Sequence, residues 1–319
     1  MNDWMRAARY ERPERIPISI SFLPATRAKY GAALNEVRAR YPELCGEVEE
    51  AGYSYEALPR AYRTGKYLDA WGCEWENIAE GYNAIVTGHP LKTREQIRGL
   101  TPPEEDDGLP HGFMFLRLTD LRGFEEMMVD FAEEPPELQT LIDAVRDYNV
   151  RQARLMVEAD APDYKDCYFF GDDNGMQHAL PISPRTWRKY LKPAYKAIYD
   201  VVHEAGAMVY MHTDGCIWEV IPDMAEAGVN VLNPQIRANG LDRLIQTCKG
   251  KLAINLDLDR QLFPVAPPEA IRDHIHECVR ALYLPEGGLM LAAECAADVP
   301  LENIDMICKT LCECAEYRG

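Results

Sequence analysis

Ala207–Asn233 reads AMVYMHTDGCIWEVIPDMAEAGVNVLN. Ala207–His212 opens with the unbroken apolar run Met208-Val209-Tyr210-Met211. A strand covered on both faces requires such a run, because neither side of the pleat meets water. The run ends in His212 and Asp214. Ile217–Gly228 then reads as a helix, with Gly228 where a helix C-cap is expected. Val229–Asn233 begins a second strand. A strand, a helix and another strand in so short a span predict parallel strands joined by a right-handed crossover.

The same rhythm extends outward. Strands are predicted at Ile16–Phe22, Tyr164–Gly171, Leu252–Asp257 and Leu289–Ala293. Helices are predicted at Glu137–Ala159, Arg185–Gly206, Leu241–Lys249, Pro268–Leu284 and Leu301–Tyr317. Leu138, Leu141, Ile142 and Val145 recur on one face of a 3.6-residue period. Ser183-Pro184 sets an N-cap with proline in the first turn, and Pro267-Pro268 does the same further on. No G-x-G-x-x-G follows any strand, which removes the main support for a dinucleotide-binding sheet. The predicted fold is therefore α/β, a (β/α)8 TIM barrel in which residues 1–319 form one domain. Residues 1 to about 110 read as less regular. Tyr53–Gly88 is expected to form loops and short elements capping one end, and Pro102–Pro110 an exposed acidic connector.

The chain has 319 residues, 47% of them hydrophobic, enough for a large core. Lys and Arg total 34 against 52 Asp and Glu, a net charge of −18. Such a surface repels phosphate backbones and anionic lipid, so neither nucleic acid nor membrane is an expected partner. No apolar run reaches the roughly 20 residues of a membrane-spanning helix. The opening MNDWMRAARYERPER is charged throughout, unlike a signal peptide, which predicts a cytoplasmic location. In that reducing compartment the ten cysteines are expected as free thiols, and Cys308, Cys312 and Cys314 as helix packing.

Side chains at strand C-termini of a parallel α/β barrel face the mouth where substrates bind. Five predicted strands end in reactive groups: Asp172 and Asp173; His212 and Asp214; Asn233 and Gln235; Asn255, Asp257 and Asp259; Glu294 and Cys295. Imidazole and thiolate are preferred zinc ligands, and a catalytic site needs three protein ligands with one position open. His212, Asp214 and Cys295 could supply them, with Cys216 as a further candidate. Equally, His212 could be hydrogen-bonded in the rim and Cys295 a buried small hydrophobe.

Three stretches together resemble the uroporphyrinogen decarboxylase superfamily: Phe170–Pro193 (FGDDNGMQHALPISPRTWRKYLKP), Tyr210–Gln235 (YMHTDGCIWEVIPDMAEAGVNVLNPQ) and Gly287–Ile304 (GGLMLAAECAADVPLENI). Arg12–Pro17 (RPERIP) and Asp69–Trp75 (DAWGCEW) are similar to the same group. The resemblance spans nearly the whole chain in order and implies the (β/α)8 barrel. The superfamily holds cofactor-free decarboxylases and corrinoid-linked methyltransferases. The decarboxylases carry an N-terminal P-x-W-x-M-R-Q-A-G-R motif that engages substrate carboxylates, whereas the first strand here runs into SFLPATRAKYG. The methyltransferase branch holds zinc with H-x-C and a distant cysteine. On that pattern His212 and Cys295 match, and Asp214 stands in place of the middle cysteine.

The resemblance therefore implies a methyltransferase using zinc on His212, Asp214 and Cys295, with corrinoid (cobalamin) free or on a partner protein. The methyl group would move to or from a methyl ether, a methylamine, a thiol or folate. Asp172 and Asp257 are the expected catalytic carboxylates. Asp173, Gln177, Asn233 and Gln235 are the expected substrate-binding residues. Two rivals follow from the same resemblance: metal-free decarboxylation of a tetrapyrrole, and a non-catalytic binder of a tetrapyrrole or a corrinoid protein.

Overall fold

A computed structural model describes residues 2–47, 58–104, 108–160 and 165–319. Residues 53–57 of the expected capping stretch, 105–107 of the acidic connector and 164 at the start of an expected strand lie outside them. The described strands are β1 (Ile18–Phe22), β2 (Gly65–Leu68), β3 (Glu74–Asn77), β4 (Ile85–Gly88), β5 (Cys167–Gly171), β6 (Met208–Thr213), β7 (Val231–Pro234), β8 (Ala253–Asp257) and β9 (Leu289–Cys295). The chain divides into two compact units.

Unit 1 comprises Met1–Gly65, Asn77–Ile85 and Gln235–Gly319. Its strands run parallel in the order β1-β9-β8, with Phe22 opposite Cys295 and Asp257 opposite Ala292. Helices Pro268–Leu282 and Leu301–Ala315 belong to this unit. Ile271, Ile275, Cys278, Val279 and Leu282 make one buried stripe, and Ile304, Ile307, Cys308, Leu311 and Cys314 another. Each fully buried aliphatic side chain contributes about 1.5–3 kcal/mol over exposure. Cys308 and Cys314 are thus core residues, as the helix-packing reading expects, and Cys312 is half-buried.

Unit 2 comprises Lys66–Glu76 and Val86–Pro234. Its parallel strands run in the order β7-β6-β5. Gly171 lies opposite His212, and His212 opposite Asn233. Helices Pro136–Asp160, Pro184–Glu204 and Ile221–Ala227 complete the unit's βα rhythm. Ser183 caps the second of these by accepting from the Thr186 amide, and Gly228 ends the third with φ 117°. Most of a small three-stranded sheet, ordered β2-β3-β4, also belongs to unit 2. It occupies the stretch expected to hold loops and short elements.

Each expected parallel strand is present, with ends that coincide or shift by up to three residues. Of the eight parallel strands expected, the described residues hold six, three in each unit. Much of the chain between β4 and β5 is helical rather than extended, with helices at Phe115–Arg122, Phe124–Glu133 and Pro136–Asp160. Leu118, Leu121 and Arg122 are buried on the first of them, at the three-and-four spacing of a helix face. Gly123, at φ 87°, turns the chain from the first helix into the second.

Candidate functional site

The ends of β5, β6 and β7 gather one cluster within unit 2. Parallel register brings Gly171, His212 and Asn233 abreast. His212 Nδ1 lies 2.6 Å from Asn233 Oδ1, so the amide fixes Nδ1 as the protonated nitrogen and turns Nε2 towards Asp214. His212 Nε2 is 3.2 Å from Asp214 Oδ1. Burial pushes the His212 imidazolium down, but the hydrogen bond and charge of Asp214, with Asn233, prevail and hold it up at about 9.

His111 joins them from the loop before helix Phe115–Arg122. Its Nε2 is 3.2 Å from Asp173 Oδ2, and its ring centroid lies 5.6 Å from that of His212. The bond to Asp173 raises the His111 imidazolium, against burial and the neighbouring His212. Asp173 Oδ1 accepts from the Asp214 amide at 3.0 Å, so this carboxylate ties the β5 end to the β6 end. One ligand atom from each of His111, Asp173 and His212 lies within 4.8 Å of the others. Among the described residues this is the group placed to hold a metal ion.

Beneath the cluster lies a polar scaffold. Asp172 is wholly buried. Its Oδ2 accepts from the Phe115 amide at 2.5 Å, the Met114 amide at 3.2 Å and the Tyr195 hydroxyl at 2.5 Å. Its Oδ1 accepts from the Leu116 amide at 3.0 Å. The carboxylate thus satisfies orphan amides where helix Phe115–Arg122 starts, an end that favours negative charge. Burial nevertheless pushes its carboxyl above the usual range. Asn174 donates to the Asp172 carbonyl and accepts from Trp187 Nε1 at 2.8 Å. Glycine is required in the two turns above: a Cβ on Gly215 would come within 2.2 Å of the Gly175 backbone. Phe169 is 64% exposed and its ring lies 4.7 Å from that of Tyr210. Strand alternation puts these two on the same sheet face as His212.

The expected residues therefore fall into distinct settings. His212, Asp214, Asp173 and Asn233 come together. Asp172 supports them from below, enclosed by its donors. Gln177 is exposed on the loop after β5. In unit 1, Gln235 bridges to Asp257, whose Oδ2 is 2.6 Å from Arg260 Nη2. Arg260 Nη1 also holds Glu294 Oε1 at 2.7 Å. Cys295, the expected third metal ligand, is fully buried in unit 1. Burial, then the charges of Glu294 and Cys45, push its thiol well above the usual range. Sequence reasoning missed His111 and Arg260. Neither ends a strand, and His111 meets an aspartate 62 residues away, so no local spacing marks it.

The sequence matches the family model for uroporphyrinogen decarboxylase (URO-D) over residues 115–313. No curated protein matches it. Among solved structures, one described as a methyltransferase from Methanosarcina mazei superposes with a TM-score of 0.63 at 18% identity, covering 97% of each chain. The apo form of 3-keto-D-glucoside 4-epimerase from E. coli superposes with a TM-score of 0.36 at 13% identity, covering 71% of this chain and 95% of that one.

Proposed function

The chain belongs to the uroporphyrinogen decarboxylase (URO-D) family, and on that premise we propose that it is a methyltransferase rather than a decarboxylase. The proposed reaction moves a methyl group between a small molecule and a corrinoid, free or on a partner protein. The barrel of the family is the proposed frame, with the cluster around His212 at its mouth.

One observation carries this reading: the cluster is built from two imidazoles and two carboxylates. Uroporphyrinogen is a polycarboxylate, and binding it calls for cationic side chains. Asp173 and Asp214 instead take up the charge of the two imidazoles, so the cluster offers such a substrate no net cation. A neutral methyl donor needs no such cation, and the exposed Phe169 ring offers its apolar body a surface. The superposition on a protein described as a methyltransferase supports the same choice.

The residues' roles follow from their settings. Asn233 holds the His212 tautomer. Asp173 fixes the Asp214 backbone. Asp172 and Tyr195 keep the floor rigid, and Gln177 is the proposed contact to the donor at the rim. Asp257 is proposed as a catalytic carboxylate and Gln235 as a substrate contact. The donor set fits a divalent metal, zinc on the family pattern, with His212 among the proposed ligands. When bound, such a metal supplies Lewis-acid polarisation of the donor's oxygen or nitrogen.

The test is to incubate the protein with reduced cobalamin and a panel of methyl ethers and methylamines, following methyl-cobalt by its absorbance. Methyl-cobalt from at least one donor, with uroporphyrinogen left unchanged, is the expected result. Decarboxylated porphyrinogen without methyl-cobalt would overturn the proposal.

A further inference from the structure

We infer that His111, Asp173 and His212, and not Cys295, form a divalent-metal site of nitrogen and oxygen ligands.

Three separate chain segments supply the ligand atoms: the loop before helix Phe115–Arg122, the end of β5 and the end of β6. Those atoms lie within 4.8 Å of one another. Around a tetrahedral zinc, bonds of about 2.0–2.2 Å put neighbouring ligand atoms about 3.4 Å apart. Rotamer-scale adjustments close that difference. Asp214 Oδ1, 3.2 Å from His212 Nε2, can add a further oxygen.

The surroundings hold these groups in place. Asn233 binds His212 Nδ1 and leaves Nε2 facing the cluster, the arrangement found behind metal-bound histidines. Asp173 Oδ1 is engaged by the Asp214 amide, which leaves Oδ2 towards His111. The His111 loop is tied to β5 by the Gly112 amide, which donates to the Gly171 carbonyl at 2.8 Å. Gly171 itself makes room for the ring: a Cβ there would sit 2.5 Å from His111 Nδ1. With both imidazoles neutral, the two carboxylates leave two negative charges, the number a divalent cation balances. Cys295 has the opposite setting. It is fully buried in unit 1, where the charges of Glu294 and Cys45 disfavour its thiolate.

A site of this kind takes borderline or hard divalent ions such as zinc, cobalt(II) or manganese(II). Lacking thiolate, it polarises oxygen better than it activates a thiol. This points to a methyl ether as donor rather than a thiol as acceptor. The donor class rests on the methyl-transfer reading, whereas the ligand set rests on geometry alone.

The test uses cobalt(II) as the probe on chelator-stripped full-length protein. One equivalent is expected to bind, with visible d–d bands and without a thiolate-to-cobalt charge-transfer band. His111→Ala and Asp173→Asn are each expected to weaken binding about 10–100-fold. Gly171→Ala, which removes no ligand but displaces the His111 ring, is expected to weaken it as well. Cys295→Ala is expected to keep both affinity and spectrum. Unchanged circular dichroism of the stripped variants separates lost binding from lost folding. A thiolate band that vanishes in Cys295→Ala, or full affinity retained in His111→Ala, overturns the assignment. Methyl-cobalt formation is read separately. Cobalt(II) binding without methyl transfer leaves this site standing and defeats only the proposed reaction. Methyl transfer by a protein that binds no cobalt(II) defeats only the site.

Discussion

At the scale of single residues, His212 is set by its neighbours more than by its own position. Asn233→Ala removes the acceptor at 2.6 Å and frees the ring to turn. Methyl transfer is expected to fall about 10–100-fold with the melting temperature nearly unchanged, measured as kcat against a thermal scan. Asp172 behaves differently, because its carboxylate serves three backbone amides and the Tyr195 hydroxyl. Asp172→Ala strands those donors and is expected to cost about 3 kcal/mol in denaturant unfolding, whatever it does to turnover. Asp120 gives the pH dependence. Burial, opposed by Arg117 and reinforced by Asp69 and Asp172, raises its carboxyl to about 7. In the unfolded chain the same group titrates near the ordinary value of about 3.9. The folded state therefore holds the proton longer, and stability falls as pH rises between about 4 and 7. Asp120→Asn is expected to raise the melting temperature more at pH 8 than at pH 5. An equal shift at both values would refute this. The strand-end chemistry of His212, Asp214, Asp173 and Asn233 was legible because each follows an apolar run. His111 was not, since only folding brings it to Asp173.

At the scale of elements, the site depends on two glycine turns packed backbone to backbone. Gly175 follows β5 and Gly215 follows β6, and the Gly175 amide donates to the Asp214 carbonyl at 3.1 Å. Gly215→Ala meets both a positive φ of 86° and a 2.2 Å approach. Strain and overpacking together are expected to cost about 3 kcal/mol or more, read as a shift in the urea midpoint. The turn glycines stand out in the sequence, but their contact does not, because it joins segments some 40 residues apart. The βα rhythm was readable for a related reason. Continuous apolar strands and three-and-four helix spacing are local patterns, and burial within each unit agrees with them. The small sheet β2-β3-β4 was not readable as a sheet. Its strands are four residues each, with mixed polarity, and pairing rather than local pattern makes them extended.

At the scale of the whole molecule, the charge of −18 acts on whatever approaches. Anionic methyl donors are repelled over about a Debye length, roughly 8 Å at physiological ionic strength. Raising salt is therefore expected to increase kcat/KM for an anionic donor more than for a neutral analogue. Equal salt effects on both would count against electrostatic exclusion. The sequence by itself determined the alternation of parallel strands and helices, the acidic surface and the family, because these are written in composition, periodicity and ordered local motifs. It also determined that acid, amide and imidazole side chains follow the strands. Tertiary structure decided the company each group keeps. It joined His111 to Asp173 and His212, and enclosed Asp172 among donors. It also buried Cys295 and made much of the chain between β4 and β5 helical. These outcomes depend on through-space distance and on desolvation, and neither is a function of spacing along the chain.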